Sequence, residues 1–236
     1  MSTPPHPLPT RPARNRPSAI AWLLLAAALA LPPLPGHAAA PAFETRTFAY
    51  TPPDRLPKGM RSRYVDEAPD AVFERVWAYL EENGLTIASV DPQQRIVVAE
   101  YTGDPRPFVD CGVVTPLVNG SAPADVKPFS AAKPELRTTK TVNKRRYGLL
   151  RQMGLHVRLM VRVEARGRGS RIYSEAIYVA TKTLRRIYKG GKAGELLDHD
   201  VISFRSDTVG RFDKGTVCVG TGKIEALPLA PFRKSS

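Results

Sequence analysis

The chain has 236 residues, a formal charge of +13 and a pI near 10. That length suits one domain of ordinary size once a leader is removed. Two cysteines and four histidines are too few and too scattered for a zinc site, which needs three or four ligands, commonly in paired short spacings.

The N-terminus reads as an export signal. Residues 1–18 are basic and proline-rich. Residues 19–31 are Ala, Leu, Ile and one Trp. Pro32, Pro33 and Pro35 end the run, and small Ala38, Ala39 and Ala40 follow. This is the order of charge, apolar core and small-residue cleavage site in a secretory signal. Gly36-His37-Ala38 puts small residues at −3 and −1, so cleavage is expected after Ala38. Ala40 is the alternative, but it would leave Pro41 first, which signal peptidases dislike. A membrane anchor needs about 20 apolar residues, and this run is shorter. No cysteine near the cleavage site offers a lipid attachment point. The expected organisation is a signal peptide at 1–38 and one periplasmic domain at 39–236. The leader holds Arg11, Arg14 and Arg16 and no acids, so the remainder keeps +10 of the +13.

The elements follow in chain order. Residues 42–50 form a short strand candidate with Phe43 and Phe48 as buried points, and 60–65 could form another. The clearest helix runs from Pro69 to Asn83. Pro69 suits the first turn, and Asp70 places negative charge at the positive end of the dipole. Val72, Phe73, Val76, Trp77 and Leu80 make an apolar stripe, and Gly84 is the expected C-terminal cap. Strands at 85–90 and 95–101 flank a turn at Asp91-Pro92-Gln93-Gln94. Residues 108–114 read as one strand carrying Cys111. Residues 115–133, rich in Pro, Ala, Ser and Gly, read as a long exposed loop. A strand is expected at 137–143.

From Leu155 to Thr183 the chain reads as a long hairpin. Leu155, Val157, Leu159, Val161 and Val163 alternate with His156, Arg158, Met160, Arg162 and Glu164, the period of a half-buried strand. Gly167 and Gly169 can supply the reversal. Folding about Arg168 puts Tyr173, Ile177 and Val179 beside Val163, Leu159 and Val157. Glu175 then turns inward. Either a bulge re-aims it or the register is off by one, which would flip every side chain. After the hairpin, 185–200 reads as irregular or briefly helical, 201–206 and 215–219 as short final strands, and Thr221 as the cap of a short helix.

Export changes the meaning of the cysteines. Cys111 and Cys218 are an even number in an oxidising compartment, so a disulfide is expected. The alternative is two buried free thiols. The bond would close a loop of about a hundred residues, which the chain-entropy estimate values at about 4.7 kcal/mol.

Catalytic groupings are sparse. Asp198-His199-Asp200 with a free thiol could form a nucleophile and base pair, but a disulfide would remove the thiol. His156 alternates onto the polar side of its strand. The glycine-rich 215–223 segment fails the phosphate-loop pattern, because Thr221 rather than lysine follows Gly220. No enzyme activity, cofactor or metal is expected. The basic residues are clustered instead. Lys140, Lys144, Arg145, Arg146 and Arg151 precede the hairpin, and Arg166, Arg168 and Arg171 surround its tip. Lys182, Arg185, Arg186, Lys189 and Lys192 follow it. In an exported chain the expected anions are phospholipid head groups, lipopolysaccharide phosphates or acidic protein faces rather than nucleic acid. A merely basic, solvated surface is the alternative.

One resemblance is carried by particular motifs. An Ala-Pro-Asp-Ala-Val-Phe helix start at 68–73 leads through Gly84-Leu85 to Asp91. Ile-Val-Val-Ala-Glu-Tyr-Thr-Gly-Asp-Pro at 96–105 and Phe-Val-Asp-Cys-Gly at 108–112 follow, with Cys-Val-Gly-Thr-Gly-Lys-Ile-Glu at 218–225. This resembles an uncharacterised family of bacterial exported proteins and lipoproteins. The helix-then-strands unit is loosely similar to the helix-grip domains of the outer-membrane assembly lipoprotein BamC. The resemblance implies a role in the cell envelope, in assembly or scaffolding at the outer membrane, and no catalytic residue.

The expected fold is α+β: one antiparallel sheet with the 69–83 helix packed across it, closed by Cys111–Cys218. The expected function is that of a non-enzymatic periplasmic protein that binds a partner protein or an anionic envelope surface through the basic clusters and the 115–133 loop. A binding module for a small apolar or lipid ligand between helix and sheet is the alternative.

Overall fold

The computed structural model describes residues 46–232, except 56, 123–126, 143–144 and 189–190. Of 46, 141–142 and 145–146 it describes the backbone alone. The leader, its cleavage point, Phe43, Lys144 and Lys189 lie outside the described residues.

In chain order the elements are β1 (Arg46–Thr51), β2 (Arg61–Val65), α1 (Pro69–Glu82), β3 (Thr86–Asp91), β4 (Ile96–Gly103) and β5 (Val109–Asp110). Then come β6 (Val113–Val118), β7 (Phe129–Ser130), β8 (Glu135–Val142), β9 (Arg145–Arg166) and β10 (Gly169–Ile187). β11 (Ala193–Arg205), β12 (Val209–Arg211), β13 (Val217–Gly220), α2 (Lys223–Ala226) and a 3-10 turn (Leu227–Phe232) complete the order.

This architecture is mostly β, and it corrects the expected α+β arrangement of a single sheet with one main helix. The described strands form three sheets. One is β1–β6–β7 and another is β12–β13–β5. The largest has seven strands, β11–β10–β9–β4–β3 side by side, with β2 also on β10 and β8 also on β9. The cause of the division is local. Gly112 has φ +79°, and a Cβ there would fall on the Thr51 carbonyl oxygen. Only glycine tolerates that conformation and that approach. The stretch read as one strand at 108–114 therefore breaks, so that Val109 and Asp110 pair with β13 while Val113 onward pairs with β1. The loop expected at 115–133 is correspondingly shorter, because β6 runs to Val118. Its proline content concealed this. Pro116 lies beyond the two residues that β7 covers, where a missing N–H is tolerated.

The hairpin is longer than its alternation suggested, and its register differs by one. Pairing runs from Gly169–Arg166 to Ile187–Gly148, with Tyr173 opposite Arg162 and Ile172 opposite Val163. Gly167 turns the chain at φ +60°, as the first central residue of a two-residue hairpin turn often does. Ile172, Ser174, Ala176, Tyr178, Ala180 and Lys182 all point inward and are buried. Glu175 points outward, where Arg205 pairs with it at 3.3 Å. The sequence misleads because the core face of β10 mixes Ile172 and Tyr178 with small or polar Ser174, Ala176, Ala180 and Lys182, while its outer face holds Tyr173, Ile177 and Val179.

Helix α1 forms where expected. Val72, Phe73, Val76 and Leu80 are buried, while Trp77 is partly exposed. Gly84 N–H donates to the Glu81 carbonyl and Leu85 N–H to the Leu80 carbonyl, the paired bonds of a Schellman ending with Leu85 and Leu80 both buried. The helix stripe joins one core with Val97, Ala99, Val157, Leu159 and Val161 of the sheet. It works as core packing.

Cys111 and Cys218 form the disulfide, 107 residues apart in sequence. Tyr50 ties two of the sheets together beside it. Its hydroxyl accepts from Val217 N–H at 2.9 Å and lies 3.2 Å from the Cys111 carbonyl oxygen.

Residues 193–205, expected to be largely irregular before 201, form β11. Register shifts against β10 at Leu184/Arg185 and Arg185/Ile187 break the two-residue period there, which hid the strand.

Candidate functional site

The hairpin sorts the basic clusters by position. At about 3.3 Å per residue along β10, Arg168 and Arg185 lie on the order of 55 Å apart. The tip cluster and the other two clusters therefore cannot grip one small anion. The clusters before and after the hairpin converge instead. Antiparallel pairing sets Arg185 opposite Leu150, Arg186 opposite Leu149 and Leu184 opposite Arg151. β8 adds Lys140 opposite Tyr147. Residues more than thirty apart in sequence meet at the open end of a ribbon built from β8, β9, β10 and β11.

At the tip, Arg166 and Arg168 are exposed. Arg171 donates to Ser62 Oγ at 3.2 Å, and its guanidinium lies 5.4 Å from the Tyr173 ring, as does that of Arg162. These contacts fix the outer face of the sheet.

Two of the cations serve the interior. Lys182 is buried, pairs with Asp200 Oδ2 at 3.4 Å and lies 4.3 Å from the Phe212 ring centre. Arg151 donates to the carbonyl oxygens of Ala131 at 2.7 Å and Lys133 at 3.1 Å. Burial pushes its pKa down. Both hold structure together rather than face a partner.

At the ribbon end, Arg186 pairs with Glu195 at 3.2 Å and lies 5.1 Å over the Tyr147 ring. Arg185 lies within reach of the Gly194 carbonyl oxygen at 3.4 Å, and Arg137 pairs with Glu135 at 2.8 Å. Lys140 and Lys192 are exposed. Arg145 and Arg146 stand in β9, but their side chains, like Lys144, are outside what is described.

This end also carries apolar surface that the sequence reading did not single out. Tyr188 is 56% exposed, Leu196 46% and Leu197 40%. Beyond Lys182, no described side chain of β8, of β10, or of β11 as far as Val201 is buried. Leu150 of β9 is the buried exception. The helices pack on the other half of the sheet, where β9 and β10 bury their alternating residues. Tyr188 is held in place. Its ring packs on Gly194, where a Cβ would collide with it, and its N–H donates to the Lys192 carbonyl at 3.0 Å. Arg137 approaches the same turn: a Cβ on Gly191 would sit 3.7 Å from its Nη1. The bulges in β11 removed the periodic signal that would have marked these residues.

The Asp198-His199-Asp200 group divides across the sheet. Asp198 and Asp200 face Lys214 and Lys182, while His199 is exposed on the other face. The Lys214 ammonium, donating to Asp198 Oδ2 at 2.7 Å, holds that carboxyl below the ordinary carboxylate range. Neither cysteine is a thiol. His156 Nδ1 shares a 3.0 Å hydrogen bond with Thr102 Oγ1.

Two of the glycines that mimic a phosphate loop have a packing cause. A Cβ on Gly220 would meet the Tyr178 ring at 2.9 Å, and one on Gly222 would meet Arg61 Nη2 at 2.6 Å.

Among the described residues, no helix is long and apolar enough to cross a membrane. No family model, no curated protein and no solved structure matches the chain.

Proposed function

We propose that this is a non-enzymatic protein of the cell envelope, exported by its 1–38 leader, that docks on an anionic partner through the open end of its β-ribbon. The partner is an acidic protein face or an anionic envelope surface. One observation carries the proposal: basic residues distant in sequence converge, through hairpin pairing, on the half of the sheet that no helix of the described residues covers. Clustered cations attract an anionic surface over about a Debye length, roughly 10 Å at 0.1 M salt. Rigid strands hold them in fixed positions, so attraction is converted into orientation.

The test is co-sedimentation with an envelope fraction at low salt. Wild-type protein is expected in the pellet, and the Lys140→Glu/Lys192→Glu variant in the supernatant. Equal pelleting of both would sink the proposal.

A further inference from the structure

Resting on the proposed docking function, we infer that the ribbon end is a membrane-interface contact whose partner is a bilayer rich in anionic phospholipid.

Three observations favour a bilayer over an acidic protein face. First, the uncovered end carries apolar side chains on both faces of a single sheet layer, among its charged ones. Pairing places Tyr147, Leu149 and Leu184 on one face and Ile187 and Leu196 on the other, each at least partly exposed. A folded protein partner covers one face of a sheet. An end-on ribbon entering a headgroup layer is wetted on both faces by the same medium, and both sets of apolar side chains gain.

Second, the chemistry is layered. Tyr188, Leu196 and Leu197 are large exposed apolar residues of this end. Tyrosine belongs at headgroup depth, with its ring in the apolar boundary and its hydroxyl in water. Lys140 and Lys192 accompany them, and their long stems can lie along apolar surface while the ammonium groups stay among phosphates. Each cation near an anionic surface adds attraction.

Third, the turn is braced. The Tyr188 ring rests on Gly194, and a second bond closes the turn from Gly191 N–H to the Tyr188 carbonyl at 3.0 Å. The apolar residues are presented in a fixed arrangement, so little ordering is needed on binding. No strand crosses the bilayer in this arrangement. Contact is limited to the interface.

The experiment is flotation of the full mature chain with two kinds of vesicle, phosphatidylglycerol with phosphatidylethanolamine and phosphatidylcholine alone. Binding is expected to the first and not to the second, and it should fall as salt rises. Two paired variants separate a specific end from general basicity. Lys140→Glu/Lys192→Glu should weaken binding by tenfold or more, on the order of the loss expected for charges at the surface. Arg166→Glu/Arg168→Glu makes the same change in net charge at the opposite end and should leave binding within about twofold, because it lies far outside the Debye length. Leu196→Ser/Leu197→Ser should also weaken binding while its salt dependence is retained. Far-UV circular dichroism of each variant reports folding.

Equal loss in the two charge variants overturns the assignment of the site. Binding unaffected by the leucine substitutions overturns interfacial insertion. If the ribbon-end charge variant loses envelope co-sedimentation but wild-type protein does not float with anionic vesicles, the bilayer assignment fails while anionic docking stands. A photo-crosslinker at position 196 that captures protein rather than lipid overturns the bilayer assignment in the same way.

Discussion

The Tyr178 hydroxyl donates a 2.6 Å hydrogen bond to Glu225 Oε1 in the interior, where Glu225 is 1% exposed and its second oxygen has no hydrogen-bond partner among the described residues. The ring of Tyr178 stacks on Phe204 with centroids 5.0 Å apart. This bond fastens α2 to the inner face of β10.

Removing the hydroxyl leaves both Glu225 oxygens without that donor. Tyr178→Phe should therefore cost about 1.5–3 kcal/mol, the range for a hydrogen bond to a charged group. Its alkaline behaviour should also change. Burial first, and then the neighbouring Glu225 charge, push the Tyr178 pKa up. In the unfolded chain the group titrates near pH 10. Above that pH the unfolded state releases a proton that the folded state retains, so stability present below about pH 10 is lost as pH rises. Unfolding free energies from urea titrations should match in pH trend below about pH 10, and between about pH 10 and 11.5 should fall less steeply in Tyr178→Phe, by up to about 1.4 kcal/mol per pH unit. Identical slopes would refute the linkage.

Cys218 stands across from Cys111 as the next rung of the β5–β13 pairing, which already joins Val219 to Asp110. The bond closes a long loop that contains the whole hairpin. Reduction, or a double Cys111→Ala/Cys218→Ala change, should lower stability by about 2–5 kcal/mol. Denaturant titration with and without reductant measures it. Alkylation of unreduced protein should find no accessible thiol even in denaturant.

The hairpin register predicts opposite outcomes for adjacent residues. Leu159 is fully buried, while Met160 is 41% exposed on the outer face. Leu159→Ala should cost about 2–5 kcal/mol, and Met160→Ala less than about 1 kcal/mol. On β10 the same contrast applies to Ile172, buried, against Ile177, exposed. A larger loss at Ile177 than at Ile172 would restore the other register.

Two glycines share one conformation and differ in surroundings. Gly84 and Gly112 both have φ +79°, but among the described residues nothing lies within 4 Å of a Cβ on Gly84. Gly84→Ala should cost about 1–2 kcal/mol, the left-handed penalty alone. Gly112→Ala should cost clearly more, because its Cβ would displace the Thr51 carbonyl and the β1–β6 pairing with it. Thermal unfolding of the two variants side by side makes the comparison.

Local patterns in the sequence determined the helix from Pro69, the Asp91 turn, the inward side of β9 and the pairing of Cys111 with Cys218. Each depends on near neighbours or on simple parity: a cap, a period, a turn residue, two cysteines. The division into three sheets, the one-residue register and the convergence at the ribbon end were decided by tertiary structure. Gly112 reads as an ordinary glycine until the Thr51 carbonyl stands beside it. Ser174, Ala176 and Lys182 read as an outer face until Glu225, Arg61 and Asp200 arrive from distant segments to meet the inner one. Lys140 and Lys192 lie fifty-two residues apart and come to one end of the ribbon only because β8, β9, β10 and β11 pair antiparallel in series. Periodicity reports which side chains share a face of one strand. It carries no information about which other segment will cover that face, and in this protein that covering sets both the core and the surface left free to bind.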